Sequence, residues 1–219
     1  LRSLLRHPAQ PWPSMDHDAA QAFAVRHSVP AWLSQRWITR LGLASAEAAC
    51  EGVSAAPPLT LRVNQLVTSR DALLERFGQA GIAAKPTNVS PFGIQIEEGG
   101  SVPSLPGFTE GAFYVEDEAA QFIPPLLDPQ PGDTVLDACA APGGKATHLA
   151  DLMQNKGTIF AVDRKQARLD LLQNNCRRLG GRNDVPIAGD IRQPREWIPM
   201  IEATGSPSVK KTGLANVSI

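Results

Sequence analysis

The sequence predicts an α/β fold in which a parallel, doubly wound sheet follows a small α+β lobe. Three observations carry this. From about residue 116 apolar strands alternate with amphipathic helices, the βαβ rhythm of a parallel sheet. Before that point, short alternating runs flank a single helix, as in a compact α+β unit. Aspartates recur at Asp137, Asp163 and Asp190, 26 and 27 residues apart, at or beside the ends of the three expected strands, where sheets of this kind open a crevice.

Each element follows from local pattern. Residues 1–56 form a helical lead-in, rich in Pro and Ala, with one expected helix in "AWLSQRWITRLG". There Trp32, Arg36 and Arg40 share one face, Leu33, Trp37 and Leu41 another, and Gly42 is a natural stop. A lobe over 57–115 begins with "LTLRVN", whose Leu59, Leu61 and Val63 point inward from a half-buried strand. "SRDALLERFGQAG" follows as a helix, with Ser69 as cap, Leu73, Leu74, Phe77 and Ala80 on one face, and Gly81 past its end. "GIQIE" and "GAFYVED" supply two more strands. In 116–219, "EDEAAQFI" reads as a short helix that Pro124 and Pro125 end or kink. "DTVLDAC", "GTIFAVD" and "DVPIAGD" are the parallel strands, and Leu169, Leu172, Cys176 and Leu179 mark the buried face of the helix after the second. Leu at position 1 and a final "VSI" resembling the start of a strand lead us to expect a piece of a longer chain.

Composition narrows the function classes. A hydrophobic content of 42% suits a globular chain, and there is neither a run of about 18 apolar residues nor a signal-like start, so we expect a cytoplasmic protein without a membrane anchor. Cys50, Cys139 and Cys176 lie too far apart for a disulfide framework or paired metal ligands, and no metal is expected. The formal net charge of −1 excludes a chain coated in basic residues. A local patch remains, because Arg26, Arg36, Arg40, Arg62 and Arg70 outnumber Glu47 and Glu51 in that region. Of these, Arg26, Arg36, Arg40 and Arg62 are the candidate RNA contacts, against the plainer reading of a solvated basic face.

The stretch "DACAAPGGKATH" is where chemistry dictates the letters. A phosphate-wrapping P-loop needs Gly where Cys139 stands and Ser or Thr where Ala146 stands. A dinucleotide fingerprint needs three spaced glycines, whereas only the adjacent Gly143 and Gly144 are present. What remains is a turn open to close approach of a ligand, with Asp163 one helix later placed to accept hydrogen bonds from ribose hydroxyls. Asp163 also suits a helix cap, and Asp190 a simple turn. A nucleoside ligand without a diphosphate fits. S-adenosylmethionine meets that description, its adenosine facing Asp163 and Asp190 and its zwitterionic end facing the helix N–H groups and Lys145.

The string "LDACAAPGGKATHLA" resembles the first motif of the Sun-type RNA (cytosine-5) methyltransferases, most closely the bacterial ribosomal RNA small-subunit branch. "RHSVPAWLSQRW" looks like that family's entry helix, "LTLRVN" like the first strand of its RNA-binding-like lobe, and "LPGFTEGAFYVEDEAAQF" like the lead-in to its catalytic domain. The resemblance implies a Rossmann-like class I S-adenosylmethionine-dependent core, truncated after its third strand. It also implies a cofactor loop of Cys139, Ala140, Ala141, Pro142, Gly143, Gly144 and Lys145, with Asp163 on the ribose and Asp190 beside the adenine. The implied activity is methylation of carbon 5 of a cytosine in RNA, most closely 16S ribosomal RNA, by a protein that is monomeric when complete.

The departures matter equally. The family's nucleophile, a cysteine in an Asp-Ala-Pro-Cys motif after the fourth strand, has no counterpart here, nor has its second cysteine in Thr-Cys-Ser. No catalytic residue is therefore assigned, and we expect the nucleophilic cysteine beyond the C-terminus. The 219 residues alone are expected to be inactive. Alternatives stay open: a methyltransferase for another RNA, a small molecule or a protein, or a fragment that binds RNA or cofactor without catalysis.

Overall fold

The structure is a computed structural model and describes residues 18–54, 57–98 and 100–204. The first residues and the final "VSI" lie outside the described residues. The chain divides into two compact units, one up to Pro57 and a second from Pro58.

The first unit holds α1 (Ala19–His27), α2 (Ala31–Leu41) and α3 (Leu43–Ser54). One helix is expected there from the sequence, and the other two are corrections. "AAQAFAVRH" and "LASAEAACEGVS" are Ala-rich, so they have strong helix propensity but little contrast between faces. Tertiary packing decides them: Phe23, Ala46 and Cys50 are buried together, with Trp37 and Ile38 against them. Asp18 caps α1 by accepting the Gln21 N–H at 2.9 Å. Gly42 ends α2 as read, and α3 starts at the next residue.

The second unit contains two sheets. The antiparallel one comprises β1 (Leu59–Val63), β2 (Ala83–Pro86), β3 (Gly93–Glu98) and β4 (Phe113–Val115) in the order β2-β3-β1-β4. Helix α4 (Arg70–Gln79), capped by Ser69 through the Ala72 N–H at 3.2 Å, lays Leu73 and Phe77 on Leu61, Val63, Ile94, Ile96 and Phe113. The sequence reading gives β1 one buried face. In the structure Thr60 and Arg62 on the opposite face are buried as well. Residues 120–122 form a single 3₁₀ turn, and α5 (Ile123–Leu126) follows. Pro124 and Pro125 open that helix rather than end it, because a first-turn proline forfeits no intrahelical hydrogen bond.

The second sheet is parallel, with β5 (Thr134–Asp137), β6 (Thr158–Asp163) and β7 (Asp184–Ala188) in the order β5-β6-β7. Helices α6 (Gly144–Leu152) and α7 (Gln166–Leu179) cover the face that presents Ile159 and Ala161. Helix α8 (Pro194–Glu202), unread in the sequence, covers the other with Trp197 and Ile201 against Phe160 and Val162. Both faces of β6 are thus dry, which explains its unbroken apolar run.

Helix α6 is buried almost all round. Its Ala146, Leu149 and Ala150 face the parallel sheet's core, while Thr147, His148 and Asp151 are buried too. The antiparallel sheet accounts for the polar side: Arg62 of β1 donates to Thr147 Oγ1 at 2.9 Å, and Phe92 meets the His148 ring edge-on at 4.9 Å.

Candidate cofactor site

The site forms where β5 turns into α6. Asp137 closes the strand, and its Oδ1 accepts the Cys139 N–H at 3.2 Å. The Ala140 N–H reaches across to the Val162 carbonyl at 3.0 Å, and the Gly143 N–H bends back to Ala140 at 2.8 Å. Gly143 then takes φ +109°, a conformation that side-chain-bearing residues resist, and becomes the N-cap of α6. Gly144 follows with its backbone against the acidic wall: a Cβ there would lie 3.1 Å from Glu116 Oε1 and 3.2 Å from Tyr114 Cε1. The second glycine thus serves close approach, and the first serves the turn.

A cavity of about 240 Å³ opens beside this loop, lined by Tyr114 to Glu116, Asp137, Cys139 to Pro142, Gly144 and Lys145. Asp137 Oδ2 is buried there without a hydrogen-bond partner among the described residues. Burial pushes the Asp137 carboxyl up, the Cys139 N–H and Lys145 pull it down, and the Asp163 charge adds to the rise. The first N–H groups of α6 have no intrahelical acceptor and give this end of the helix a partial positive charge. An ammonium has carboxylates to meet here, and a carboxylate has Lys145 and the helix terminus.

Asp163 and Asp190 do not line the cavity; they follow it along the strand ends. Asp163 ends β6, in register with Ala188 of β7, and is 5% exposed. Its Oδ1 accepts the Lys165 N–H at 3.2 Å, and its Oδ2 lies 3.3 Å from Arg168 Nη1. Asp190, two residues past β7, is held by Arg192, with Nη2 to Oδ2 at 2.6 Å and Nε to Oδ1 at 3.0 Å. That guanidinium holds the Asp190 carboxyl well below the usual carboxylate range.

Several contributors escape sequence reasoning. Arg168 on α7 also donates to the Ala141 carbonyl, and Asn175 donates to Pro142 O at 2.9 Å, so one helix braces both the loop and Asp163. They stand four residues before and three after Leu172, at the edge of the buried stripe of α7, and no motif flags them. Glu116 is missed for the same reason.

The arginines separate into two groups. Arg36 and Arg40 are exposed on α2, and Trp32 beside them is 65% exposed. Arg26 is exposed and pairs with Glu47 at 3.2 Å. Arg62, expected on RNA, is a correction: it is 1% exposed and its guanidinium donates to Glu116, Thr147 and the Gly144 carbonyl. A strand that alternates apolar and polar residues looks solvated on its polar side, yet that side faces α6. Among the cysteines, Cys50 and Cys176 are buried, which raises both thiols, and Cys139 is exposed in the loop. No helix among the described residues is long and apolar enough to cross a membrane, and none of their His, Cys, Asp and Glu side chains cluster as metal ligands.

Comparison with known proteins places these features in company. A family model described as 16S rRNA methyltransferase RsmB/F matches residues 124–203, and one for an RsmF/B-like, ferredoxin-like domain matches 29–103. A probable ribosomal RNA small subunit methyltransferase B of Coxiella burnetii is 42% identical over 146 residues, which are 66% of this chain and 34% of that protein. The ribosomal RNA small subunit methyltransferase B of Pseudomonas syringae is 40% identical over 183 residues, 84% of this chain and 40% of that one. The chain therefore spans well under half the length of these relatives. Among solved structures, a methyltransferase homologue from Pyrococcus horikoshii superposes with a TM-score of 0.74 at 30% identity, covering 82% of this chain and 59% of its own.

Proposed function

Because residues 29–103 and 124–203 belong to the RsmB/F methyltransferase family, we propose that the chain is the cofactor-holding part of an enzyme that methylates carbon 5 of a cytosine in 16S ribosomal RNA in the cytoplasm. The observation that carries the reading is the 137–145 turn, with a buried Asp137 oxygen that has no partner among the described residues and a Gly144 that leaves room beside Glu116. S-adenosylmethionine is the cofactor, and its sulfonium supplies an activated methyl group.

The chain's own residues bind and orient. The loop backbone from Cys139 to Lys145 carries the amino-acid end, Asp163 accepts the ribose hydroxyls, and Asp190 stands by the adenine. Arg168 shares Asp163 with that ligand and balances its charge. Arg36 and Arg40, next to Trp32, offer phosphate and stacking contacts to RNA. Transfer to carbon 5 needs a thiolate adduct at carbon 6. Buried Cys50 and Cys176 do not offer one, and Cys139 belongs to the cofactor loop. We therefore assign the nucleophile to residues outside these 219.

The test is tritiated methyl transfer to 16S ribosomal RNA with nucleoside analysis. The 219-residue chain is expected to bind S-adenosylhomocysteine and form no 5-methylcytosine, and the same chain continued through an Asp-Ala-Pro-Cys segment is expected to form it. Methyl groups found on another base, or 5-methylcytosine made by the 219 residues alone, would refute the reading.

A further inference from the structure

Glu116 stands where no glycine motif would place it. It follows β4 directly, is 8% exposed, and lines the cavity beside the cofactor loop. Its Oε2 accepts Arg62 Nε at 2.6 Å. Its Oε1 accepts nothing among the described residues and lies on the Gly144 side, 3.1 Å from where a Cβ would stand. The residue is thus a buried carboxylate with one oxygen held by Arg62 and the other beside Gly144, which lines the same cavity.

The cavity's size and charge say what it takes. About 240 Å³ is below the roughly 300–1,000 Å³ of pockets that enclose a whole small molecule, so it suits one end of a ligand rather than a nucleoside. Its charged side chains are two carboxylates, Glu116 and Asp137, and one ammonium, Lys145. A group carrying both an ammonium and a carboxylate is complementary to that set. Of the two acids, Glu116 is the better partner for the ammonium, because the buried Arg62 guanidinium supplies it with a counter-charge. Asp137 has no such cation in contact among the described residues, and burial disfavours its charge.

We propose that Glu116 Oε1 binds the α-ammonium group of the cofactor's amino-acid end, with Lys145 and the start of α6 taking the carboxylate. This rests on the reading of the site as one for S-adenosylmethionine. It adds a ligand contact from the segment after the antiparallel sheet, outside the glycine loop and the strand-end aspartates.

Calorimetric titration of the full 219-residue chain with three ligands separates the possibilities. They are S-adenosylhomocysteine, its analogue lacking the α-amino group, and 5′-methylthioadenosine, which lacks the whole amino-acid end. The unaltered chain should prefer S-adenosylhomocysteine over the deamino analogue by about tenfold or more, the worth of a charge-assisted hydrogen bond. Glu116→Gln should shrink that preference to under about threefold while leaving the deamino analogue's affinity within about twofold. Glu116→Asp keeps a counter-charge for Arg62 but withdraws the oxygen, so it should shrink the preference equally and decides the matter should Glu116→Gln fail to fold. Variants that keep the full preference, or that weaken both ligands alike, overturn the assignment. An unaltered chain that binds S-adenosylhomocysteine without any preference overturns the Glu116 contact and leaves the cofactor reading standing. A chain that binds none of the three overturns both.

Discussion

Arg62 and Glu116, 54 positions apart in the chain, meet as a buried ion pair with Nε and Oε2 separated by 2.6 Å. Asp151 Oδ2 lies 3.8 Å from the same guanidinium. Removing the cation leaves two buried carboxylates without their counter-charge, although Asp151 still accepts the Gln65 N–H at 2.9 Å. Arg62→Ala is therefore expected to lower the free energy of unfolding by roughly 3–5 kcal/mol, as loss of one partner of a buried pair does. Urea unfolding followed by circular dichroism measures it, and a loss under about 1 kcal/mol would contradict the burial that underlies the expectation.

His148 predicts how the fold responds to acid. Both ring nitrogens are buried without partners among the described residues. Burial, with the Arg62 charge adding to it, pushes the imidazole down to about 3. The unfolded chain takes up a proton below about pH 6.5 that the folded chain refuses. The stability tied to this residue is thus complete above that pH and is lost as the pH falls towards 3, by no more than about 5 kcal/mol. His148→Phe should flatten the fall in unfolding free energy between pH 6.5 and 4 and stay within about 1.5 kcal/mol of the parent at pH 7.5. An unchanged acid limb in urea titrations at several pH values would show that His148 is not its source.

Asp163→Ala tests the ribose contact. If Asp163 is the ribose acceptor proposed above, the substitution removes the acceptor for two hydroxyls and leaves Arg168 without its carboxylate partner. Affinity for S-adenosylhomocysteine should fall at least about tenfold, given about 1.5–3 kcal/mol for each charge-assisted bond. Equal affinity by calorimetry would remove Asp163 from the site.

Exchanging Arg36 and Arg40 for Gln should weaken RNA binding and make it less sensitive to salt, since each phosphate contact releases counterions. Arg62 is excluded from this set by its burial. Cofactor affinity is the control and should not move. Filter binding at two salt concentrations reads the effect, and identical slopes for parent and variant would count against these residues.

How far the sequence anticipates this fold depends on what each residue had to reveal. The buried stripe of α7 at Leu169, Leu172, Cys176 and Leu179 and the Ser69 cap of α4 follow from spacing and side-chain chemistry alone, and the structure repeats them. Helix α8 is hidden because "PREWIPMIE" contains Pro194 and Pro199, which read as breaks. Trp197 and Ile201 hold it against Phe160 and Val162, a packing that no local pattern contains. In the loop, the two glycines announce themselves, because the turn at Gly143 and the close approach at Gly144 restrict the residue type. Glu116, Arg168 and Asn175 act through partners 54, 27 and 33 positions away, and a single sequence carries no mark of such pairs.

The burial of α6 between the two sheets limits how this protein can be taken apart and reassembled. A small sheet borrowed from another protein would have to arrive with an arginine at the place of Arg62 and with a bare backbone at Gly111, where any Cβ would fall 2.0 Å from the Arg178 carbonyl oxygen. Asn64 adds a third condition, since its amide donates both to Gly111 and, at 2.7 Å, to Leu179 of α7. Ancestral exchange of the two parts is thus penalised unless these positions travel together, and chimeras should be cut before Pro58 rather than near Glu116.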